Sequence, residues 1–305
     1  MAVAAISTSK LTKDYGAGRG LFDLDLHVAQ QEVIGYLGPN GSGKTTTIRL
    51  LMGMIRPTNG SAHIFGLDCV RDSVEVKRKV GYLPGDIPQF GSLHGSEVVA
   101  YLGGMRGGVD RSRVHAIAER FDLDLNRRFR EYSSGNKQKL GILIAFMHKP
   151  DLLILDEPTS GLDPLNQQEF YALLRETRDA GATIFLSSHV LSEVEHVCDR
   201  VGILRGGRLV KVAELGELTR VRVHHVEVEF APGEEAPESK LRAVPGVGDV
   251  TVAGQRLKCT VHGNFDALLK AISGSKVIDL VSTEPSLEEF FLSFFGEPKP
   301  KALPS

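Results

Sequence analysis

Apolar residues along this chain follow two different patterns. Up to about residue 218, short runs are apolar at nearly every position: EVIGYLG, DLLILDE and ATIFLSSH. A strand apolar on both sides is one buried on both sides, as in a parallel sheet covered by helices. Gly-rich turns and amphipathic stretches separate these runs. From about residue 87 to 148 the chain reads as mostly helical. Such alternation is the grammar of an α/β core, whose ligands sit at the carboxyl ends of the strands.

After Thr219 the pattern changes. HHVEVEF alternates strictly, as a half-buried strand does. The Pro/Glu-rich APGEEAPES follows. Then come LRAV (helix-like), DVTVAG and RLKCTV (strands), FDALLKAI (helix) and KVIDLVS (strand). The order βαββαβ predicts a small ferredoxin-like α+β domain. In EPSLEEFFLSFF, Ser286 and Glu289 have capping-box spacing, and Leu287, Phe290, Phe291 and Phe294 share one helical face. Those phenylalanines pack either on their own small domain or against a second subunit. The expected organisation is 1–218, 219–296 ending in that helix, and a frayed tail over 297–305.

Composition narrows the class only a little. The chain of 305 residues is 42% hydrophobic and 24% charged, as expected of a soluble globular protein. A net charge of −2 offers no global reason to bind nucleic acid. Cys69, Cys198 and Cys259 are far apart and form no CxxC pair, which argues against a disulfide framework or a zinc site. His224 and His225 are adjacent on a strand and point to opposite faces, which argues against a shared metal. MAVAAISTSKLTKDYG lacks a signal-peptide pattern, and no apolar run approaches the ~18 residues that span a bilayer. If the protein acts at a membrane, another chain supplies the span.

The chemistry is concentrated after the apolar runs. Residues 38–45 read GPNGSGKT, a full GxxxxGK[ST] motif between a strand and a helix. Gly38, Gly41 and Gly43 let the backbone wrap a phosphate, with Pro39, Asn40 and Ser42 completing the loop. Lys44 is a point charge for β- and γ-phosphates, Thr45 an oxygen ligand suited to Mg²⁺, and Thr46 a donor to an α-phosphate. A second apolar run ends in Asp156, which would hold Mg²⁺ through water, and Glu157, which can orient and deprotonate an attacking water. His189 ends a third run and is expected at the same edge, its ring bonded to a γ-phosphate. A further helix start, Ser133-Ser134-Gly135-Asn136, also suits an anion.

Taken in order, LTKDYG, GPNGSGKT, YSSGNKQ, LLILDE, SGLD and His189 resemble the ATP-binding-cassette (ABC) family over roughly residues 4 to 215. The resemblance implies a RecA-like parallel sheet, an N-terminal antiparallel β subdomain and a helical subdomain over about 87–148. It implies ATP and Mg²⁺ as ligands, Tyr15 stacked on adenine, and Asp163 in an inter-subunit loop. It also implies that Ser133 and Gly135 touch the γ-phosphate held by Lys44 of a second copy or a homologous cassette. The C-terminal part, with VIDLVSTEPSLEEFFLSFF, is similar to exporter ATPases of the drug, antibiotic and polysaccharide type. Those pair with a multi-span membrane permease at the cytoplasmic face of the membrane, here received by residues about 87–148 with Gly81 to Phe90 as the joint. The alternatives are a soluble ABC ATPase of ribosomes or nucleic acid, and an importer ATPase. A single set of motifs, no long heptad run and a βαββαβ tail count against them.

The chain departs from the family in four places, one of them Gly161 in SGLD, where the family more often has Ala. Ser134 stands where many members have Gly, and Asn136 where they have Gln. In VGYLPGDIPQF the position that resembles the family's glutamine is Gly85, which has no amide to reach the metal and the attacking water. Asp86 through water, or Gln89, could substitute; otherwise the loop couples mechanically only.

Overall fold

The computed structural model describes residues 3–216, 223–234 and 236–283. The expected helix at 286–294 and the tail at 297–305 lie outside the described residues. By contacts the chain separates into two compact units, one up to Ala213 and one from Glu214.

The first unit opens with an antiparallel sheet. Strands β1 (Ile6–Asp14), β2 (Gly20–Leu24), β3 (His27–Val28), β5 (Asn59–Ile64) and β6 (Leu67–Asp68) form it, in the order β2-β1-β5-β6 with β3 on β1. The second sheet holds β4 (Val33–Leu37), β7 (Val80–Leu83), β8 (Leu152–Asp156), β9 (Thr183–Ser188), β10 (Arg200–Arg205) and β11 (Arg208–Glu214). Its order is β11-β10-β4-β9-β8-β7. β10 to β4, β4 to β9, β9 to β8 and β8 to β7 are parallel pairs. Every residue of β4, β8 and β9 is buried, as their continuous apolar runs require.

Register decides what the sheet presents. Leu37 pairs with Ser188, Asp156 with Ser187, and Leu83 with Leu155. Four parallel strands therefore end at one edge, and the loops that leave them meet there. Helices α1 (Lys44–Leu51), α2 (Ser73–Lys79), α6 (Pro164–Asp179) and α7 (Leu191–Glu195) belong to the same unit. Ile48, Leu51, Tyr36, Ile154 and Phe185 lie in one core cluster, each side chain contributing roughly 1.5–3 kcal/mol on burial.

Between β7 and β8 the chain is helical: α3 (Gly95–Gly104), α4 (Arg111–Arg120), a 3₁₀ turn (Phe129–Glu131) and α5 (Ser134–Phe146). Asp110 caps α4 by accepting from Ser112 N and Arg113 N. His94 and Glu97 cap α3 reciprocally. From Leu140 to Phe146, α5 is buried at every position but Ile144. A Cβ on Gly141 would lie 2.5 Å from Ile87 Cδ1 and 2.7 Å from Leu83 Cδ1, so a larger residue would need both side chains to shift.

The second unit runs β12 (Val223–Phe230), α8 (Glu238–Arg242), β13 (Val247–Ala253), β14 (Arg256–His262), α9 (Asp266–Ile272) and β15 (Val277–Thr283). The sheet order is β13-β14-β12-β15, with each neighbouring pair antiparallel. This is the ferredoxin-like βαββαβ arrangement. Val226, Val228 and Phe230 of β12 form its core with Leu241, Leu257, Leu268 and Ile272. Among the described residues, no helix is long and apolar enough to cross a membrane.

Candidate functional site

The loop between β4 and α1 is built for a close backbone wrap. Gly41 has φ 79° and Gly43 φ 111°, left-handed values that other residues adopt at a cost. Gly38 is needed for space: a Cβ there would sit 2.5 Å from Ser42 Oγ and 2.7 Å from Leu204 O. No side chain caps the start of α1, so its first N–H groups suit an anion. Ser42 is buried, and its Oγ has no hydrogen-bond partner. An orphaned hydroxyl inside a glycine cradle fits a phosphate oxygen. Gly207 N donates to Ser42 O at 3.0 Å and Phe22 N to Gly207 O at 2.7 Å, so the cradle is braced from behind.

Lys44 is only 6% exposed. Its Nζ donates to Gly38 O at 2.6 Å and to Pro39 O at 3.4 Å. It also lies 3.2 Å from Glu157 Oε1, close enough for an ion pair. That approach is off line for a hydrogen bond, and Oε1 has no other partner. The other oxygen, Oε2, accepts from His189 Nδ1 at 2.8 Å. A carboxylate only accepts, so Nδ1 carries the hydrogen. Lys44, Glu157 and His189 thus form one chain of contacts, brought together from the loops after three different strands.

Glu157 has φ 49°. A non-glycine residue in the left-handed region stores roughly 1–3 kcal/mol of strain, and such positions cluster at functional sites. Its N–H is held by Ser187 O and Ser187 Oγ, both at 3.2 Å. Asp156 is buried beside it. Its Oδ2 accepts from Thr45 Oγ1 at 2.9 Å and its Oδ1 from Ser187 Oγ at 2.5 Å. One hydroxyl and one carboxylate already in contact form an oxygen donor set that fits a hard divalent cation.

A cavity of ≈ 410 Å³ opens over Lys44, Thr45 and Glu157, with Asp156 and His189 outside its lining. Asn40, Gly41, Gly43, Lys44, Thr45, Thr46 and Glu157 line it, and Tyr15 borders it from the β1–β2 turn. Tyr15 is 49% exposed, with Lys13 Nζ 5.6 Å from its ring centroid. Arg19, Gly206 and Gly207 also line the cavity; these had no motif to mark them.

Ser133, Ser134, Gly135 and Asn136 are not among the lining residues. Ser133 caps α5, accepting from Asn136 N at 3.2 Å. A Cβ on Gly135 would lie 3.0 Å from Gly161 O, so the start of α5 rests on the segment that follows Glu157. Asp163 caps α6, accepting from Leu165 N at 3.1 Å and Asn166 N at 3.0 Å. The bond from Asn166 N is the main reason its carboxyl is held below the usual range.

A Cβ on Gly85 would lie 3.4 Å from Asp156 Oδ2, while Asp86 and Gln89 are exposed. Sequence reasoning missed three polar residues. Ser187 bridges Asp156 and Glu157. Gln138 is buried against the Glu157–Pro158 main chain. Glu193 accepts from Ser188 Oγ at 2.5 Å and from the Thr159 hydroxyl. Ser187 and Glu193 are marked only by polarity in, or just after, an apolar run; Gln138 closes the YSSGNKQ stretch, where no role was assigned to it.

The chain matches the ABC transporter family model over residues 21–160. It is 33% identical to the bacitracin transport ATP-binding protein BcrA of Enterococcus faecalis, over 95% of this chain and 96% of that protein. It is 32% identical to the daunorubicin/doxorubicin resistance ATP-binding protein DrrA of Streptomyces peucetius, over 96% and 93%. Among solved structures, an ATP-binding subunit of an ABC transporter is 29% identical, with a TM-score of 0.65 over 71% of this chain and 92% of that one.

Proposed function

This chain belongs to the ABC transporter family as an ATP-binding, ATP-hydrolysing subunit, and we propose that it drives an exporter with Glu157 as the base of hydrolysis. The observation that carries the residue assignment is the chain of contacts Lys44–Glu157–His189, at 3.2 Å and 2.8 Å, over a glycine cradle. The ammonium held by Gly38 O and Glu157 is the charge that β- and γ-phosphates would meet. Glu157 takes the proton of the attacking water, a role worth roughly 10²- to 10⁴-fold in rate. His189, fixed through Nδ1, turns Nε2 toward the γ-phosphate. Thr45 and Asp156 would hold Mg²⁺, which would supply positive charge to the phosphates. Tyr15, at the cavity's border, stacks on adenine.

The second anion-shaped helix start gives the dimer its purpose. In two copies facing head to tail, Ser133 and Gly135 of one meet the γ-phosphate bound by the other, with Asp163 close to the joint. ATP then joins the two surfaces, and ADP does not. Hydrolysis shifts the closed-to-open equilibrium by the difference in affinity for the two nucleotides. The helical insert α3–α5 passes that motion to a multi-span permease, with Gly81 to Phe90 as the joint. The chain thus works peripherally, at the cytoplasmic face of the membrane, and the permease selects the cargo.

The test is Glu157→Gln. The variant is expected to bind ATP with unchanged affinity, lose phosphate release by at least about 100-fold, and run as a dimer when sized in ATP. Turnover at the wild-type rate overturns the base assignment.

A further inference from the structure

We propose that Gln138 is a positioning residue for hydrolysis, holding the main chain of Glu157 in place from α5; the proposal rests on Glu157 being the base. Gln138 is 5% exposed, one turn into a helix that is core from Leu140 to Leu143. Its Nε2 donates to Pro158 O at 2.8 Å and to Glu157 O at 3.4 Å. Both partners are carbonyls, which only accept, so the nitrogen must face them and the amide has a single orientation. A methionine or leucine would fill the same volume with no polar atom to satisfy. The amide is therefore explained by its two bonds and not by packing.

What those bonds hold is a residue in an unfavourable conformation. Glu157 sits at φ 49°, and nothing intrinsic to glutamate keeps it there. Strain of this kind persists only where the surroundings over-determine it. On the amide side Ser187 does this from β9, by its carbonyl and its hydroxyl. On the carbonyl side, Gln138 does it from α5. Ser160 N also donates to Glu157 O, at 3.2 Å, within the turn itself. Remove the amide, and the turn keeps its own bond but loses its anchor to the helix.

Gly135 lies three residues earlier on α5, so it shares a face with Gln138. That face runs along the segment from Glu157 to Gly161, touching it at Gly161 O through Gly135 and at Pro158 O through Gln138. The helix is thus fixed to the base-bearing turn at two points, one turn apart. Ser133 and Gly135 begin the same helix. Any shift of its first turns, as when they engage a phosphate of the second copy, is carried to Glu157 through Gln138. The alignment of the base in one chain then depends on the seating of its own α5.

Gln138→Met keeps the shape and removes the donor; Gln138→Glu is nearly isosteric and faces the carbonyls with oxygen. In each, kcat is expected to fall at least tenfold. The KM for ATP and the affinity for a non-hydrolysable analogue should stay within twofold, and the unfolding midpoint of Gln138→Met within a few degrees, while Gln138→Glu, which buries a charge against two acceptors, should unfold more easily. Either variant decides alone, should the other fail to fold. Because the residue acts through Glu157, adding Gln138→Met to Glu157→Gln should change the residual rate by less than twofold. Wild-type kcat in the folded variant overturns the proposal. So does a rise in KM that accounts for the whole loss, or an equal loss in both backgrounds. A Glu157→Gln protein with normal turnover removes the base assignment itself, and this proposal with it. A dead Glu157→Gln beside a fully active Gln138→Met sinks the proposal alone.

Discussion

Gly85 faces the carboxylate of Asp156, and a Cβ at residue 85 would stop 3.4 Å from Oδ2. That is ordinary contact distance, so the position has room for a side chain and lacks one. The neighbouring candidates to replace the missing amide, the Asp86 carboxylate through water and the Gln89 amide, are exposed. Asp86→Ala and Gln89→Ala are therefore each expected to keep kcat within about twofold, the range of a surface change that leaves the site untouched. Steady-state phosphate release measures this. A tenfold loss in Gln89→Ala would show that this amide reaches the site after all.

Ser187 makes a prediction of its own, because it serves both carboxylate residues. Its hydroxyl donates to Asp156 Oδ1 at 2.5 Å and accepts from Glu157 N at 3.2 Å. Ser187→Ala leaves a buried carboxylate one donor short. Hydrogen bonds to charged groups contribute about 1.5–3 kcal/mol, so urea unfolding should show a loss of about 2 kcal/mol. Glu157 N keeps Ser187 O as an acceptor. The strained turn should therefore survive, and ATP should still bind.

Tyr15 borders the cavity with half its surface open. If adenine stacks there, Tyr15→Ala loses about 1–3 kcal/mol of binding per base, read as a rise of about fivefold or more in the KM for ATP. Tyr15→Phe keeps the ring and should stay within about twofold. Stacking ignores the pattern of donors on the base, so the rise for GTP should match that for ATP. An unchanged KM in Tyr15→Ala places the base elsewhere in the cavity.

Legibility in the sequence followed the range of each interaction. β4, β8 and β9 show in the pattern because burial on both faces leaves no polar alternation. The 38–45 loop shows because its glycines and Lys44 act within eight residues. β1 does not show: ISTSKLTKD is polar at most positions, and it is a strand because β2, β3 and β5 pair with it. Gln138 and Ser187 stayed hidden for a related reason. Their partners lie 20 and 31 residues away along the chain, and only the fold and the register of β8 on β9 bring them together. Asp163 and Ser133 were read by resemblance as contacts to another chain. Within one chain they are helix caps, and a cap can still present its helix start to a ligand.

His148 gives the pH dependence. Its Nε2 lies 2.9 Å from Arg106 Nη1, a group that only donates, so the imidazole must be neutral there. Arg106 is fixed in turn by Lys77 O and Val80 O. Burial first, and then the Arg106 charge, lower the His148 pKa from its ordinary 6.5 to about 4. Above pH 6.5 neither the folded nor the unfolded chain is protonated at this residue, and the contribution is fully present. Between 6.5 and about 4 the unfolded chain takes up the proton and the folded one does not. Stability then falls with pH and levels off below about 4. The ring is partly open to solvent, so a discounted loss of about 2 kcal/mol is expected. His148→Gln cannot titrate, so the urea midpoints of the two proteins, compared from pH 7.5 to 4.5, isolate this group from the carboxylates. Parallel curves would mean that the ring is free to protonate in the folded chain and that Arg106 does not hold it neutral.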